Sequence, residues 1–182
     1  NIPAGADINM TDCRFESNVA NPDLLSASPG GGALWFEAGA GTIVRTRFIN
    51  NLVNSYAYYG GSLAAGGAIS VTASVGLSIE NSEFTLNQAH SVTIYCTYPV
   101  YSQGGALYVA SGTVSLSNVA MSCNITNPNC GYRAGGGIYV ADGSVSVVNS
   151  TIARNSDAEG INHSGGTVNL DSSIVFFNNA NG

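Results

Sequence analysis

The sequence predicts an all-β chain wound as a parallel β-solenoid, and three observations carry that prediction. Two short motifs recur in fixed order along nearly the whole chain. Inside each copy the apolar residues alternate with period two, the mark of short half-buried strands. Gly or Asn punctuates the copies, and no stretch shows helical periodicity. A single copy cannot bury its apolar face alone, so stacked copies must share one continuous core.

The first motif is a Gly pair, a small residue and alternating apolar residues. It stands as Gly31-Gly32-Ala33-Leu34-Trp35-Phe36, Gly66-Gly67-Ala68-Ile69-Ser70-Val71, Gly104-Gly105-Ala106-Leu107-Tyr108-Val109 and Gly135-Gly136-Gly137-Ile138-Tyr139-Val140. The second reads apolar, x, apolar, x, Asn, x, x, apolar, x, x, Asn. Leu77, Ile79, Asn81, Phe84 and Asn87 fit it, as do Val114, Leu116, Asn118, Met121 and Asn124, and Val145, Val147, Asn149, Ile152 and Asn155. Variant copies run through Ile8, Met10, Asp12, Phe15 and Asn18, through Ile43, Arg45, Phe48 and Asn51, and through Val168, Leu170, Ser172, Val175 and Asn178. Stacking would turn Leu34, Ile69, Leu107 and Ile138 into one inward ladder and Phe48, Phe84, Met121 and Ile152 into another. The closing residues Asn18, Asn51, Asn87, Asn124, Asn155 and Asn178 would stack as an Asn ladder, with amides bonding each other and the turn backbone. On that reading Asn87→Leu or Asn124→Leu should cost roughly 1–3 kcal/mol in lost buried amide bonds.

Composition narrows the class. The 182 residues are 45 % hydrophobic and only 9 % charged, with 23 Gly, no Lys and a net charge of −6. An acidic, Lys-free chain lacks the basic patch that nucleic acid or an anionic membrane requires. No apolar run approaches the roughly 18 residues of a membrane span. The expectation is one domain over residues 1–182, about five to six rungs with long loops on one side, taken from a longer repeat protein. Neither end reads as a polar cap, and bare strand edges invite end-to-end addition.

The pairing of Gly-Gly-Ala-Ile/Leu with Phe-x-x-Asn, the latter at Phe15-Glu16-Ser17-Asn18, Phe48-Ile49-Asn50-Asn51 and Phe84-Thr85-Leu86-Asn87, resembles the chlamydial polymorphic outer-membrane protein repeat. The later copies replace the Phe. The resemblance covers nearly the whole chain and implies a right-handed parallel β-helix used in surface adhesion or extracellular architecture.

The copies vary in length at one place, after the closing Asn and before the Gly pair. The loops expected there, about 19–30, 52–65, 88–103, 125–134 and 156–164, hold Tyr56, Tyr58, Tyr59, Tyr95, Tyr98, Tyr101 and Tyr132. Insertions on one side of a solenoid often mark its binding face, and Tyr supplies large contact area with a polar tip. Tyr packed simply to hold the loops down is the competing reading. Alternation turns Trp35, Ser70, Tyr108 and Tyr139 outward beside the small Ala33, Ala68, Ala106 and Gly137, a face suited to packing another chain or stacking on sugar rings unless the loops cover it. The candidate binding or assembly face is therefore Trp35, Tyr108, Tyr139, Tyr58, Tyr59, Tyr98 and Tyr101. Tyr108→Ala should then leave the fold intact and weaken assembly.

Four Cys suit an oxidising compartment. Cys123 and Cys130 flank a short Asn-Pro-Asn segment and are the expected disulfide, with Cys96 a competitor for Cys130 through stacking and Cys13 without an evident partner. Of the sequons at Asn9, Asn124, Asn149 and Asn162, the expected glycosylation sites are Asn9 and Asn162, since Asn124 and Asn149 occupy ladder or turn positions.

Catalysis would need converging carboxylates. Glu80 and Asp171 share an outward row but stand about 14 Å apart, three steps of the ~4.8 Å strand spacing. Asp157 and Glu159 beside His163 form the densest polar loop. No cofactor or metal pattern is present: the two His lie far from any Cys pair. The expectation is a non-catalytic structural or adhesive module of a cell surface or extracellular filament. Its expected partners are other protein chains, through self-assembly or a surface contact, with glycans as further candidates, and neither nucleic acid nor membrane insertion. The alternative is a carbohydrate-binding or polysaccharide-cleaving β-helix.

Overall fold

A computed structural model describes residues 7–21, 30–58, 60–73 and 75–178. Among them every strand pairing is parallel, and the strands stack into five sheets that the chain visits in rotation. The chain is a parallel β-solenoid. The first sheet holds Leu34–Phe36, Ile69–Val71, Leu107–Val109, Ile138–Val140 and Ile161–His163. The second holds Ile8–Thr11, Gly39–Val44, Val75–Glu80, Thr113–Ser117, Ser144–Val148 and Thr167–Asp171. The third holds Arg14–Glu16, Arg47–Ile49, Glu83–Thr85, Ala120–Ser122, Thr151–Ala153 and Ile174–Phe176. Two sheets reach six strands, but only three turns carry all five, so the winding amounts to about four turns rather than five to six.

Of the segments expected as loops, 52–65, 88–103 and 125–134 are largely strand, 156–164 holds the strand Ile161–His163, and residues 22–29 of the first lie outside the described residues. Val19–Ala20, Leu52–Ala57, Gln88–Thr93 and Ile125–Pro128 make a fourth sheet, and Ser62–Ala65, Val100–Gln103 and Tyr132–Ala134 a fifth. Each full turn therefore encloses two interiors. The first three sheets wrap the main core, where Ile43, Ile79, Leu116 and Val147 line up beside the stacked rings of Phe15, Phe48 and Phe84. The fourth and fifth sheets wrap a lobe filled by small side chains: Val53, Ala64 and Ala89, with Ser91 Oγ donating to Ser62 Oγ (3.0 Å) and Ser62 Oγ to Ser55 Oγ (2.9 Å).

The neck between the two interiors explains the Gly pair. A Cβ on Gly105 would lie 2.1 Å from the Gly136 carbonyl oxygen and 2.6 Å from the Ile125 amide nitrogen. One on Gly67 would lie 2.0 Å from the Gly105 oxygen and 2.5 Å from the Gln88 nitrogen. Backbone meets backbone here, where the returning strand of the lobe passes the outgoing one, and only Gly fits.

The two Asn of the longer motif do different work. The first turns the corner between the second and third sheets. The residues there, Asp12, Arg45, Asn81, Asn118, Asn149 and Ser172, have φ between 49° and 55°. Asn and Asp tolerate this left-handed conformation because their short polar side chains bond locally. The closing Asn is buried beside the neck. Asn51 Nδ2 donates to Asn87 Oδ1 (2.9 Å) and to the Phe15 carbonyl (3.0 Å), while the Asn51 backbone N–H donates to the same Asn87 Oδ1 (3.1 Å). The Asn-to-Asn bond repeats from Asn18 through Asn178, each Nδ2 donating to the Oδ1 of the Asn in the next turn.

A second polar ladder, not visible in the motif, lies one residue past the corner. Thr46, Ser82, Ser150 and Ser173 each donate to the carbonyl two residues back. All four accept the amide of an earlier turn: Thr46 from Cys13 (3.4 Å), Ser82 from Thr46 (3.0 Å), Ser150 from Val119 (3.0 Å) and Ser173 from Ser150 (3.1 Å). Val119 interrupts the row.

Candidate interaction surface

The lobe ends in a tip where the chain passes from the fourth sheet to the fifth, and the exposed tyrosines gather there. Tyr56 is next to last in its strand, Tyr58, Tyr95 and Tyr98 follow in the turns, and Tyr101 and Tyr132 stand near the start of their strands in the fifth sheet; all six are exposed. Tyr101 and Tyr132 are register partners, with ring centroids 5.6 Å apart and planes 19° from parallel. Tyr58 and Tyr95 meet edge to face at 6.4 Å. Tyr59 lies outside the described residues.

The Tyr tip is fastened. Cys96 and Cys130 form a disulfide between successive turns, with Cα atoms 5.7 Å apart. The expected Cys123–Cys130 bridge is not formed. Cys123 sits at the corner before the lobe (φ 56°) and is a free thiol, as is Cys13. Stacking places Cys96 and Cys130 at the same point of adjacent turns, and that proximity outweighs nearness in sequence. Asn129 closes the same tip: its Oδ1 accepts from the Thr93 amide (3.1 Å) and its Nδ2 donates to the Thr93 carbonyl (2.7 Å).

The other half of the expected aromatic face is not a surface. Tyr108 and Tyr139 stack at 5.8 Å, nearly parallel, but only 7 % of each is exposed. The lobe folds back over the first sheet, and Leu63, Ala65, Ala134, Ala110 and Ala141 pack on the two rings. Burial, with Tyr139 alongside, raises the Tyr108 phenol above its ordinary pKa. Ala68 and Ala106, expected beside the rings on a flat outer face, are fully buried in the main core instead. Trp35 is half-buried, and its indole Nε1 donates to Thr72 Oγ1 (2.9 Å). Tyr108→Ala should therefore destabilise the chain by about 3 kcal/mol, the low end of the cost of deleting a buried ring. A thermal melt against the parent chain measures it, and an unchanged melting temperature would show that the lobe does not rest on this ring.

The outward face of the second sheet is a different surface. Its rows carry Asn9, Thr42, Ser78, Ser115 and Ser146, and Ala40, Gly76, Thr113 and Ser144. Together with Asp7 they line an open hollow of about 520 Å³. Its polar groups are mainly hydroxyls and amides.

Charges are few, and three of the five arginines are paired with a carboxylate. Arg45 grips Asp12 through Nε (2.7 Å to Oδ1) and an η nitrogen (2.9 Å to Oδ2), and that hydrogen bonding holds the Asp12 carboxyl below its usual range. Arg14 pairs with Glu16 at 2.8 Å and Arg133 with Asp157 at 3.6 Å. The polar segment at 156–164, which ends in the strand Ile161–His163, is thus divided: Asp157 faces Arg133, while Glu159 Oε2 accepts from Asn162 Nδ2 (3.3 Å). Glu80 and Asp171 share one outward row, with Ser117 and Val148 between them. Among the described residues no three His, Cys, Asp or Glu gather in a metal-binding cluster.

The sequons sort by exposure. Asn9 is exposed on the first strand of its sheet, and Asn162 is half-buried beside Tyr139. Asn124 is buried in the ladder. Asn149, expected to be engaged like Asn124, is exposed at its left-handed corner.

Comparison with protein-family models, curated proteins and solved structures finds no match to this chain. What the geometry defines is a parallel β-solenoid with a disulfide-fastened, Tyr-rich lobe.

Proposed function

We propose that this chain is a non-catalytic extracellular module, structural or adhesive, belonging to a cell surface or an extracellular filament. The observation that carries the reading is the tip of the lobe. Six exposed tyrosines lie on the lobe around a disulfide, four of them in two ring pairs. Exposed aromatic clusters of this kind are costly in water unless a partner covers them, and Tyr is enriched where proteins meet. The solenoid supplies stiffness, and the disulfide suits an oxidising compartment. The likeness of the paired Gly-Gly-Ala and Phe-x-x-Asn motifs to the chlamydial polymorphic outer-membrane protein repeat, a right-handed β-helix, supports the same reading. The partners would be other protein chains, copies of this one included.

The test compares the parent chain with a Tyr98→Ser, Tyr132→Ser double variant. Sedimentation and negative-stain electron microscopy would follow self-assembly, and retention on immobilised extracellular matrix would follow adhesion. The expected result is loss of assembly or retention with melting temperature within about 2 °C of the parent, since exposed substitutions cost little. Equal assembly and retention in both proteins would reject the tip as the working surface.

One observation favours a second reading, carbohydrate binding. The hydroxyl- and amide-lined hollow on the second sheet runs along the stacked strands, and such groups can bond sugar hydroxyls. Affinity for a polysaccharide that Ser115→Val abolishes would move the working surface there.

A further inference from the structure

We propose that Tyr101 and Tyr132 are a site of oxidative cross-linking, at which a peroxide acting through a haem peroxidase joins the two rings by a carbon–carbon bond. Three features single out this pair. The strands Val100–Gln103 and Tyr132–Ala134 hold the two residues directly opposite each other in register. The rings lie against one another, with centroids 5.6 Å apart. Both are exposed, Tyr132 to 69 %, so an oxidant reaches them and the side chains have room to turn into bonding geometry.

The chemistry balances. Each phenol loses one electron and one proton to become a phenoxyl radical. The two radicals couple through the ring carbons ortho to oxygen. Each ortho hydrogen then moves to oxygen, restoring two phenols linked as a biaryl. The two electrons and two protons released reduce one hydrogen peroxide to two waters. The product joins two successive turns of the lobe, the same two that the Cys96–Cys130 disulfide joins. The tip would then carry two covalent staples, one of which thiols cannot reverse.

The molecule contains its own control. Tyr108 and Tyr139 are also in register and stacked, at 5.8 Å and 4°, but the lobe covers them. Register without exposure should not react. The inference stands whether or not the tip is adhesive, because the reaction needs only the chain and the oxidant.

The experiment treats the dilute full chain with hydrogen peroxide and a haem peroxidase, then maps peptides by mass and follows dityrosine fluorescence. The expected product is monomeric, carries a linked peptide containing Tyr101 and Tyr132, and is lighter by two hydrogen atoms. Tyr101→Phe and Tyr132→Phe keep the rings but should each abolish that peptide and most of the fluorescence. Denaturing the chain after its Cys96–Cys130 bridge has been reduced and alkylated should erase the preference for this pair, which separates register from mere exposure. Fluorescence undiminished in Tyr101→Phe, linkage mainly at Tyr58–Tyr95 or between chains, or linkage at Tyr108–Tyr139 would each overturn the assignment.

Discussion

Asn87→Leu should lower the stability of this chain by about 3–6 kcal/mol, more than a lost pair of hydrogen bonds would suggest. Leu nearly matches Asn in shape, so the cost comes from the groups left behind. Asn87 Oδ1 accepts two donors from Asn51, the backbone N–H at 3.1 Å and Nδ2 at 2.9 Å. Asn87 Nδ2 serves the Phe48 carbonyl at 2.9 Å. All these groups are sealed beside the neck, where Asn51 and Asn87 are fully buried. Asn87 Nδ2 also donates to Asn124 Oδ1 at 2.9 Å, so four buried groups lose a partner at once, and an unsatisfied buried donor or acceptor costs about 1–3 kcal/mol. This exceeds the 1–3 kcal/mol that the sequence motif alone suggests, because each Asn serves both neighbours. Chemical denaturation of variant and parent gives the difference directly. A loss below 1 kcal/mol would mean that water enters the neck and replaces the amide.

Phe84→Ala should cost a comparable 3–5 kcal/mol by a different route. Phe84 is fully buried and stacks on Phe48 with centroids 4.7 Å apart and planes 11° from parallel. Phe15 extends the stack at 5.1 Å on the far side of Phe48, and Met121 follows Phe84 in register. Removing the ring forfeits its transfer free energy and leaves a cavity that paired strands on both sides cannot close. For a chain of this size each kcal/mol shifts the melting temperature by about 2–4 °C, so the loss should exceed 6 °C. Phe84→Leu should recover most of it, since cores tolerate substitutions of similar volume. A melt in which Phe84→Ala matches the parent would show that the first turns do not share a cooperative core with the rest.

Much of this architecture was legible because stacking repeats one environment at a fixed place in every turn. Leu34, Ile69, Leu107 and Ile138 meet the same neighbours, as do Phe48, Phe84, Met121 and Ile152, so period-two alternation marks the first three sheets. The closing Asn is legible for the same reason. The lobe was not. Its interior is lined by Ala and Ser, too small to print an alternating pattern, and its length varies from turn to turn. Strands such as Ser62–Ala65 and Tyr132–Ala134 therefore read as loop. The candidate surface inherits that error: Tyr101 and Tyr132 are exposed, whereas Tyr108 and Tyr139 lie beneath the lobe.

The sequence by itself determined the parallel winding, the inward ladders and the positions of Gly and Asn, because these are local demands repeated turn after turn. A Gly must stand wherever backbone touches backbone, an Asn wherever a buried turn needs an amide, and an apolar residue wherever a strand faces the core. Only the tertiary structure decided which outward residues meet water and which cysteines meet each other. Both depend on how the lobe folds back across the first sheet and on which loops the stacking superimposes. Those are distances between residues some thirty positions apart, as with the separation of 34 between Cys96 and Cys130, and no local pattern encodes them.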